Sequence, residues 1–343
     1  MSFLINALAS VFVFSVVIFI HELGHFIVAK KSGIRVNEFS IGMGPKLFSV
    51  TKGETDYSVR ALPIGGFVAM EGEDEESEAE DSFNKAPVAN RIAVVVAGAV
   101  MNIILGFAIL VFLTSQQEHI TSRVIYEFHE GATTQQTGLQ VNDEIIAVNG
   151  RRCYIADDII YEFARTQDGT ADFTVRRDGK IVNLEDVTFE TYTDEAGYKQ
   201  IVVDFYVYPA EKTLVSVVRE AVHWTMSLAR TVFLSLVDMV TGRVAMNQIS
   251  GPVGIVSVIS EAASVGIKPL LNILALITIN LGVFNLVPFP ALDGGRLVFL
   301  IVELFRGKPI NPKYEIWVNA AGMVMLLAFM ALVTFSDVTK LIF

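Results

Sequence analysis

From Leu4 to Ile20 the chain carries no charged side chain, and its only polar ones are Asn6, Ser10 and Ser15. Ile92 to Leu113 carries no charge either. Leu270 to Val287 is apolar apart from Asn272, Thr278, Asn280 and Asn285, and a final apolar stretch covers roughly Ile316 to Val333. A helix needs about 20 such residues to cross a bilayer. Lipid offers the backbone no hydrogen-bond partner, so segments of this kind cross as helices. The expected fold is a polytopic α-helical membrane protein with four transmembrane helices. Mean hydropathy is +0.50 and only 18% of the 343 residues are charged, which leaves room for one soluble domain. The formal charge of -11 and the lack of a basic stripe argue against nucleic acid as a partner. The single Cys153 excludes an intramolecular disulfide and a Cys-based zinc site, and reads as a small buried residue. No Lys or Arg precedes the first apolar run, and no small-residue cleavage pattern follows it. The N-terminus therefore reads as a membrane helix rather than a cleaved signal peptide.

The first apolar run continues into His21-Glu22-Leu23-Gly24-His25. Two His four residues apart lie one helical turn from each other, so both imidazoles can reach one zinc ion. Glu22 sits beside them, where a carboxylate can take a proton from water at the metal. A charge at the centre of a membrane helix costs about 2.5–3.5 kcal/mol on insertion scales, so an ionisable cluster there is read as functional. The bland alternative is an amphipathic patch whose His and Glu merely face other helices.

The first helix is expected over 1–29 and a cytoplasmic loop over 30–90. Within that loop Val36 to Ile41, Leu47 to Thr51 and Tyr57 to Leu62 have strand character, the last two joined by a turn at Lys52-Gly53-Glu54. Pro63 to Met70 is apolar, glycine-rich and too short to span. It reads equally as a loop dipping into the membrane region and as an ordinary hairpin. Glu71 to Asp81 is an acidic run and reads as a solvated loop. In the second helix, 91–113, Gly98 and Asn102 share a face and suggest close helix packing with an interhelical hydrogen bond.

Residues 121–190 have soluble character. Gly131-Ala132, Gly138-Leu139, Asp143-Glu144-Ile145 and Val148-Asn149-Gly150 come in order, and Asp178-Gly179 marks a hairpin turn. This pattern resembles a PDZ domain of the type attached to bacterial proteases, with Asn142 where that family usually has Gly. Such a domain can take a peptide as an added edge strand; equally, it can act only as a size filter. The stretch 211–245 reads as an interfacial amphipathic helix, with Ser216, Arg219, Glu220, His223, Ser227, Arg230 and Asp238 on one side. Ser250 to Gly254 breaks the chain before the third membrane segment, 269–295, and a fourth helix is expected over 315–335.

A His pair needs a third protein ligand. Asp293 and Glu303 are the candidates near the third segment. Asp293 is favoured because two prolines break the chain before it, and Gly294 and Gly295 allow close approach. It could instead cap the helix that follows, and Glu303 could pair with Arg306 or Lys308.

His21 to His25 in a first membrane helix, with Asn285 to Gly295 in a third, resembles the site-2 protease family of intramembrane zinc metalloproteases. The likeness covers nearly the whole chain, and the single PDZ-like insert points to the bacterial branch. The resemblance implies that His21, His25 and Asp293 bind one zinc ion and that Glu22 is the general base. It also implies that Asn285 contacts the substrate backbone and that Pro288 shapes the break. Pro63 to Met70, with Gly65 and Gly66, would be a membrane-associated β-element holding substrate as an extended strand. The expected substrates are single-span proteins of the lipid bilayer, such as anti-sigma factors or signal-peptide remnants. Lys and Arg gather between spans one and two and between spans three and four, which places both loops in the cytoplasm. The PDZ-like domain would then lie outside the bacterial cytoplasmic membrane, with the zinc site toward its inner side. The rival readings are a PDZ-bearing scaffold with a structural metal and a zinc transporter; only one intramembrane ligand cluster is visible, which disfavours the second.

Overall fold

Helix α1 spans Ser2–Lys31 and α2 spans Val88–Ser115. Between them lie strands β1, Val36–Lys52, and β2, Thr55–Met70. These and the elements below come from a computed structural model that describes residues 2–73, 77–166, 168–193, 199–241 and 251–342. Residues 74–76 of the acidic run, 242–245 of the expected amphipathic stretch and Ser250 of the expected break lie outside the described residues. The chain divides into two compact units, Met1–Ile109 with Thr231–Phe343, and Leu110–Arg230.

Four helices are long and apolar enough to cross a membrane: Ala7–Lys31, Val88–Ser115, Ile267–Asn285 and Lys313–Thr339. The third of these is α7, which follows α6, Pro252–Val265; after it come α8, Asp293–Arg306, and α9, Pro312–Ile342. Helix α6 is a structural element where sequence reading placed only a break. With 14 residues it is too short to span. It begins at Gly251-Pro252, where proline suits the first helical position. The α9 residue Asp337 accepts a hydrogen bond from Gly254 N, 2.9 Å, at its start.

The two long strands bend. Val36 to Ile41 pairs antiparallel with Gly66 to Met70, Phe48 to Lys52 pairs antiparallel with Thr55 to Val59, and Glu38 to Ile41 also pairs with Asp56 to Val59. Pro63 to Met70 is therefore strand, and Gly66 to Met70 forms an edge of this sheet. Phe39 packs on Phe26 and Phe19, and Tyr57 on Phe26, with ring centroids 5.1–5.9 Å apart, so the sheet is fixed against α1. Ala29, Val36, Met70, Val94 and Leu300 close a core shared by α1, both strands, α2 and α8.

The second unit holds an antiparallel sheet. Its strands are β3, Ile120–Phe128, β4, Glu144–Val148, β5, Arg151–Arg152, β6, Thr170–Arg177, and β7, Lys180–Thr188. After a small β8–β9 pair (Thr191–Thr193, Lys199–Ile201) comes β10, Phe205–Ala210, which pairs with β3. The sheet thus draws in residues beyond 190. Helices α3, Thr133–Gln136, and α4, Ala156–Ala164, complete it over a core of Ile125, Leu139, Ile145, Phe163, Phe173 and Val175. Asn142 has φ 71, a left-handed conformation that Asn tolerates better than other side chains. Cys153 is 1% exposed, and burial pushes its thiol up to about 12, as expected of a structural cysteine.

Helix α5, Leu214–Val240, contributes its first half to this unit. Its polar stripe is used there for protein contacts. Asp158 accepts hydrogen bonds from Tyr154 N and Ile155 N at the start of α4, from Ser227 Oγ, and from Arg230 Nη2 at 3.0 Å. The Arg230 guanidinium lies over the Tyr154 ring, 5.3 Å from its centroid. The exposed residues of this half are largely apolar: Leu214, Val215, Val218, Val222 and Met226.

Candidate metal centre

Helix α1 sets the His21 and His25 rings edge to face, with centroids 4.8 Å apart. The third partner arrives on a tightly packed loop between α7 and α8. A Cβ on Gly294 would lie 2.0 Å from Val287 O, and one on Gly295 would lie 2.4 Å from Phe289 O. Ala291 has φ 72, and its N–H donates to Asn319 Oδ1 of α9 at 3.2 Å. Helix α9 also packs directly on Pro290, where a Cβ on Gly322 would lie 2.4 Å from the proline Cβ. This packing delivers Asp293 to the His pair. Its Oδ2 lies 3.2 Å from His21 Nε2 and 3.5 Å from His25 Nε2, and the two Nε2 atoms are 3.2 Å apart.

These separations fit a metal. A tetrahedral zinc ion with bonds near 2.0–2.1 Å holds its ligand atoms about 3.4 Å apart. His25 Nδ1–H donates to Val94 O at 2.8 Å, which leaves Nε2 as a bare lone pair. Asp293 Oδ2 is buried and accepts no hydrogen bond among the described residues. Lone pairs so close together repel unless a cation lies between them. Among the described residues, His21, His25 and Asp293 are the one group of three such side chains placed to hold a metal ion.

Glycines bring α2 against the site. A Cβ on Gly24 would lie 2.4 Å from Ala97 O, and one on Gly98 would lie 2.4 Å from His25 Nε2. Helix α2 meets α7 in the same way, at Gly106 on Ile279 and Gly282 on Ala99. Thr278 Oγ1 donates to Asn102 O at 3.1 Å, the interhelical bond that spacing suggested, although it uses the Asn102 backbone. The Asn102 side chain faces His21 instead, 3.3 Å from Nδ1. Glu303, the other candidate ligand, is paired with Arg91 of α2 rather than with Arg306 or Lys308, and both side chains are largely buried. That pair ties α8, and with it Asp293, to α2.

Of the remaining expected residues, Asn285 lies at the centre, its Nδ2 3.2 Å from His21 Nε2. Gly66 lies against Glu22, with a Cβ at that position 3.3 Å from Glu22 Cγ, and the Val68 backbone N–H faces the Glu22 carboxylate. Gly65, at φ +90, is turned toward Met43 and does not join the group. Pro288 stands apart from the ligand atoms, on an apolar groove of about 420 Å³ with Phe233, Leu236, Val237, Val283 and Leu286.

Two imidazoles on a helix of membrane-spanning length and a carboxylate at the start of α8 make a donor set that could hold a metal ion in a membrane protein. Residues 9–329 match Peptidase family M50, and the chain belongs to that family. It is similar to a proposed zinc metalloprotease of Clostridium perfringens, 36% identical over 326 residues covering 95% of this chain and 96% of the other. A second relative, the regulator of sigma-W protease RasP of Bacillus subtilis, is 31% identical over 422 residues, covering 99% of each chain. The zinc metalloprotease RasP of Bacillus licheniformis is 30% identical over 420 residues, covering 98% of this chain and 99% of that one. The protein is a zinc-dependent metalloprotease of the membrane, and its His-His-Asp group is compatible with a zinc site.

Proposed function

We propose that the protein is an intramembrane endopeptidase that cuts the transmembrane segments of single-span membrane proteins. In this reading His21, His25 and Asp293 hold one zinc ion and Glu22 is the general base. The observation that carries it is the convergence of three ligand atoms 3.2–3.5 Å apart, two from a helix long enough to cross a bilayer and the third from the loop that follows another such helix. Zinc held there would polarise a peptide carbonyl and make a nucleophile available at neutral pH. Glu22 takes the proton released at attack and delivers it to the leaving amine. In the same reading Asn285, whose Nδ2 lies 3.2 Å from His21 Nε2, donates to a substrate carbonyl.

A membrane helix hides its scissile bond behind its own hydrogen bonds, and each one opened in lipid without a replacement costs several kcal/mol. The edge segment Gly66 to Met70, set against Glu22, offers replacement backbone partners to an extended substrate. A relative named as a regulator of sigma-W protease supports anti-sigma factors as a substrate class, with signal-peptide remnants as the other. The second unit is read as a PDZ-like domain outside the cytoplasmic membrane. It either contacts substrate tails or filters them by size, and the apolar face of α5 rests on the bilayer surface. The positive-charge pattern puts the metal centre toward the cytoplasm.

The test is cleavage of a trimmed single-span reporter in liposomes. Cleavage is expected to stop when a chelator strips the metal and to return when zinc is restored. Undiminished cleavage by the stripped protein would sink the reading. Failure on several trimmed reporters, with zinc bound, would favour a scaffold.

A further inference from the structure

We propose that Asn102 is a positioning residue for His21, its side-chain oxygen accepting the proton on His21 Nδ1 and so turning Nε2 to the metal. The inference rests on His21 being a zinc ligand through Nε2. In that state the imidazole carries its proton on Nδ1, which is then a donor, and the atom facing it must be an acceptor. Asn102 is 0% exposed, and its amide stands 3.3 Å from that nitrogen. The two ends of an amide have nearly the same shape, and hydrogen bonding decides which faces which. With Nδ2 toward His21, two donors oppose each other and Asn102 Oδ1 is buried with no partner among the described residues. A half-turn of the amide removes the opposed donors, because Oδ1 then accepts the Nδ1 proton.

The surroundings hold Asn102 for this role. Its backbone oxygen accepts from Thr278 Oγ1, and a Cβ on Gly282 of α7 would lie 3.5 Å from the Asn102 Cβ, so α7 fixes α2 at this level. Helix α2 thereby serves both imidazoles. Val94 O orients His25 from the backbone, and Asn102, two turns further on, orients His21 from a side chain. Such outer partners typically contribute 10–100-fold to metal affinity.

The experiment is a zinc competition titration of the full-length protein in detergent against a chromogenic chelator, with the wild type, Asn102→Leu and Asn102→Asp. Leu keeps the branching at Cγ and removes the acceptor; Asp keeps the acceptor. Asn102→Leu is expected to weaken zinc binding about 10–100-fold, and Asn102→Asp to stay close to wild type. Wild-type affinity in Asn102→Leu, or an equal loss in both variants, would overturn the proposal in favour of simple packing. A wild type that binds no zinc would instead overturn the metal reading on which it rests. Should Asn102→Leu fail to fold, nitrogen-15 histidine NMR of the zinc-loaded wild type reads the same bond. The His21 proton is expected on Nδ1 and slow to exchange with solvent; a proton on Nε2, or one on Nδ1 exchanging freely, would overturn the proposal.

Discussion

Glu22→Gln is expected to lower reporter cleavage by about 10²–10⁴-fold while zinc stays bound at the wild-type level. The amide keeps the shape of the carboxylate but cannot take a proton. The residues placed to hold the metal, His21, His25 and Asp293, are left unchanged. The Val68 N–H that faces the carboxylate meets an amide oxygen in its place, so the β2 edge keeps its position. Comparing rate and metal content in one preparation separates a lost base from a lost site. Activity within a few-fold of wild type at equal zinc content would remove Glu22 as the base.

A change that touches no ligand is expected to be almost as damaging. In Gly98→Ala the new Cβ would lie 2.4 Å from His25 Nε2 and 2.7 Å from His21 Cε1, closer than side-chain atoms approach one another. His25 cannot simply swing away, because its other nitrogen is tied to Val94 O on the same helix. Helix α2 cannot shift easily either, since its Ala97 is seated on Gly24 of α1 and Gly106 and Gly282 seat it on α7. A displacement on the order of 1 Å at reacting groups costs about 10²-fold in rate. Zinc affinity and cleavage are therefore expected to fall together, with the protein still folded by thermal melting. Wild-type zinc affinity in Gly98→Ala would show that the rings do not stand where the geometry puts them.

Much of the metal centre is legible in the sequence because local periodicity encodes it. A spacing of four puts His21 and His25 on one helical face. An apolar span broken by prolines ahead of Gly294 and Gly295 marks Asp293 as a residue brought in by an irregular loop. Membrane spans are legible for a similar reason, since length and lack of charge are read without knowing any neighbour. What escaped depends on contacts between distant segments. Glu303 pairs with Arg91, 212 residues away, where sequence offered only the nearby Arg306 and Lys308. Asn102 showed its packing face but not that its side chain meets His21, 81 residues away. Helix α6 was missed because its 14 residues, though mostly apolar, fall below the length that identifies a span. Strand β10 was missed because its pairing with β3 joins segments some eighty residues apart, with nothing local to mark it. The polar stripe of α5 suggested a helix facing water on that side; Ser227 and Arg230 instead meet Asp158, and the apolar side is the exposed one.

The most direct measurement is metal analysis with zinc-edge X-ray absorption on the wild type and Asp293→Ala. The wild type is expected to hold one zinc per chain in a shell of nitrogen and oxygen only, with distances near 2.0–2.1 Å. Asp293→Ala is expected to lose most of that zinc under the same dialysis, because two imidazoles alone leave the ion without its anionic ligand. A sulfur scatterer in the wild-type shell, or full zinc occupancy and unchanged cleavage in Asp293→Ala, would contradict a centre built from His21, His25 and Asp293.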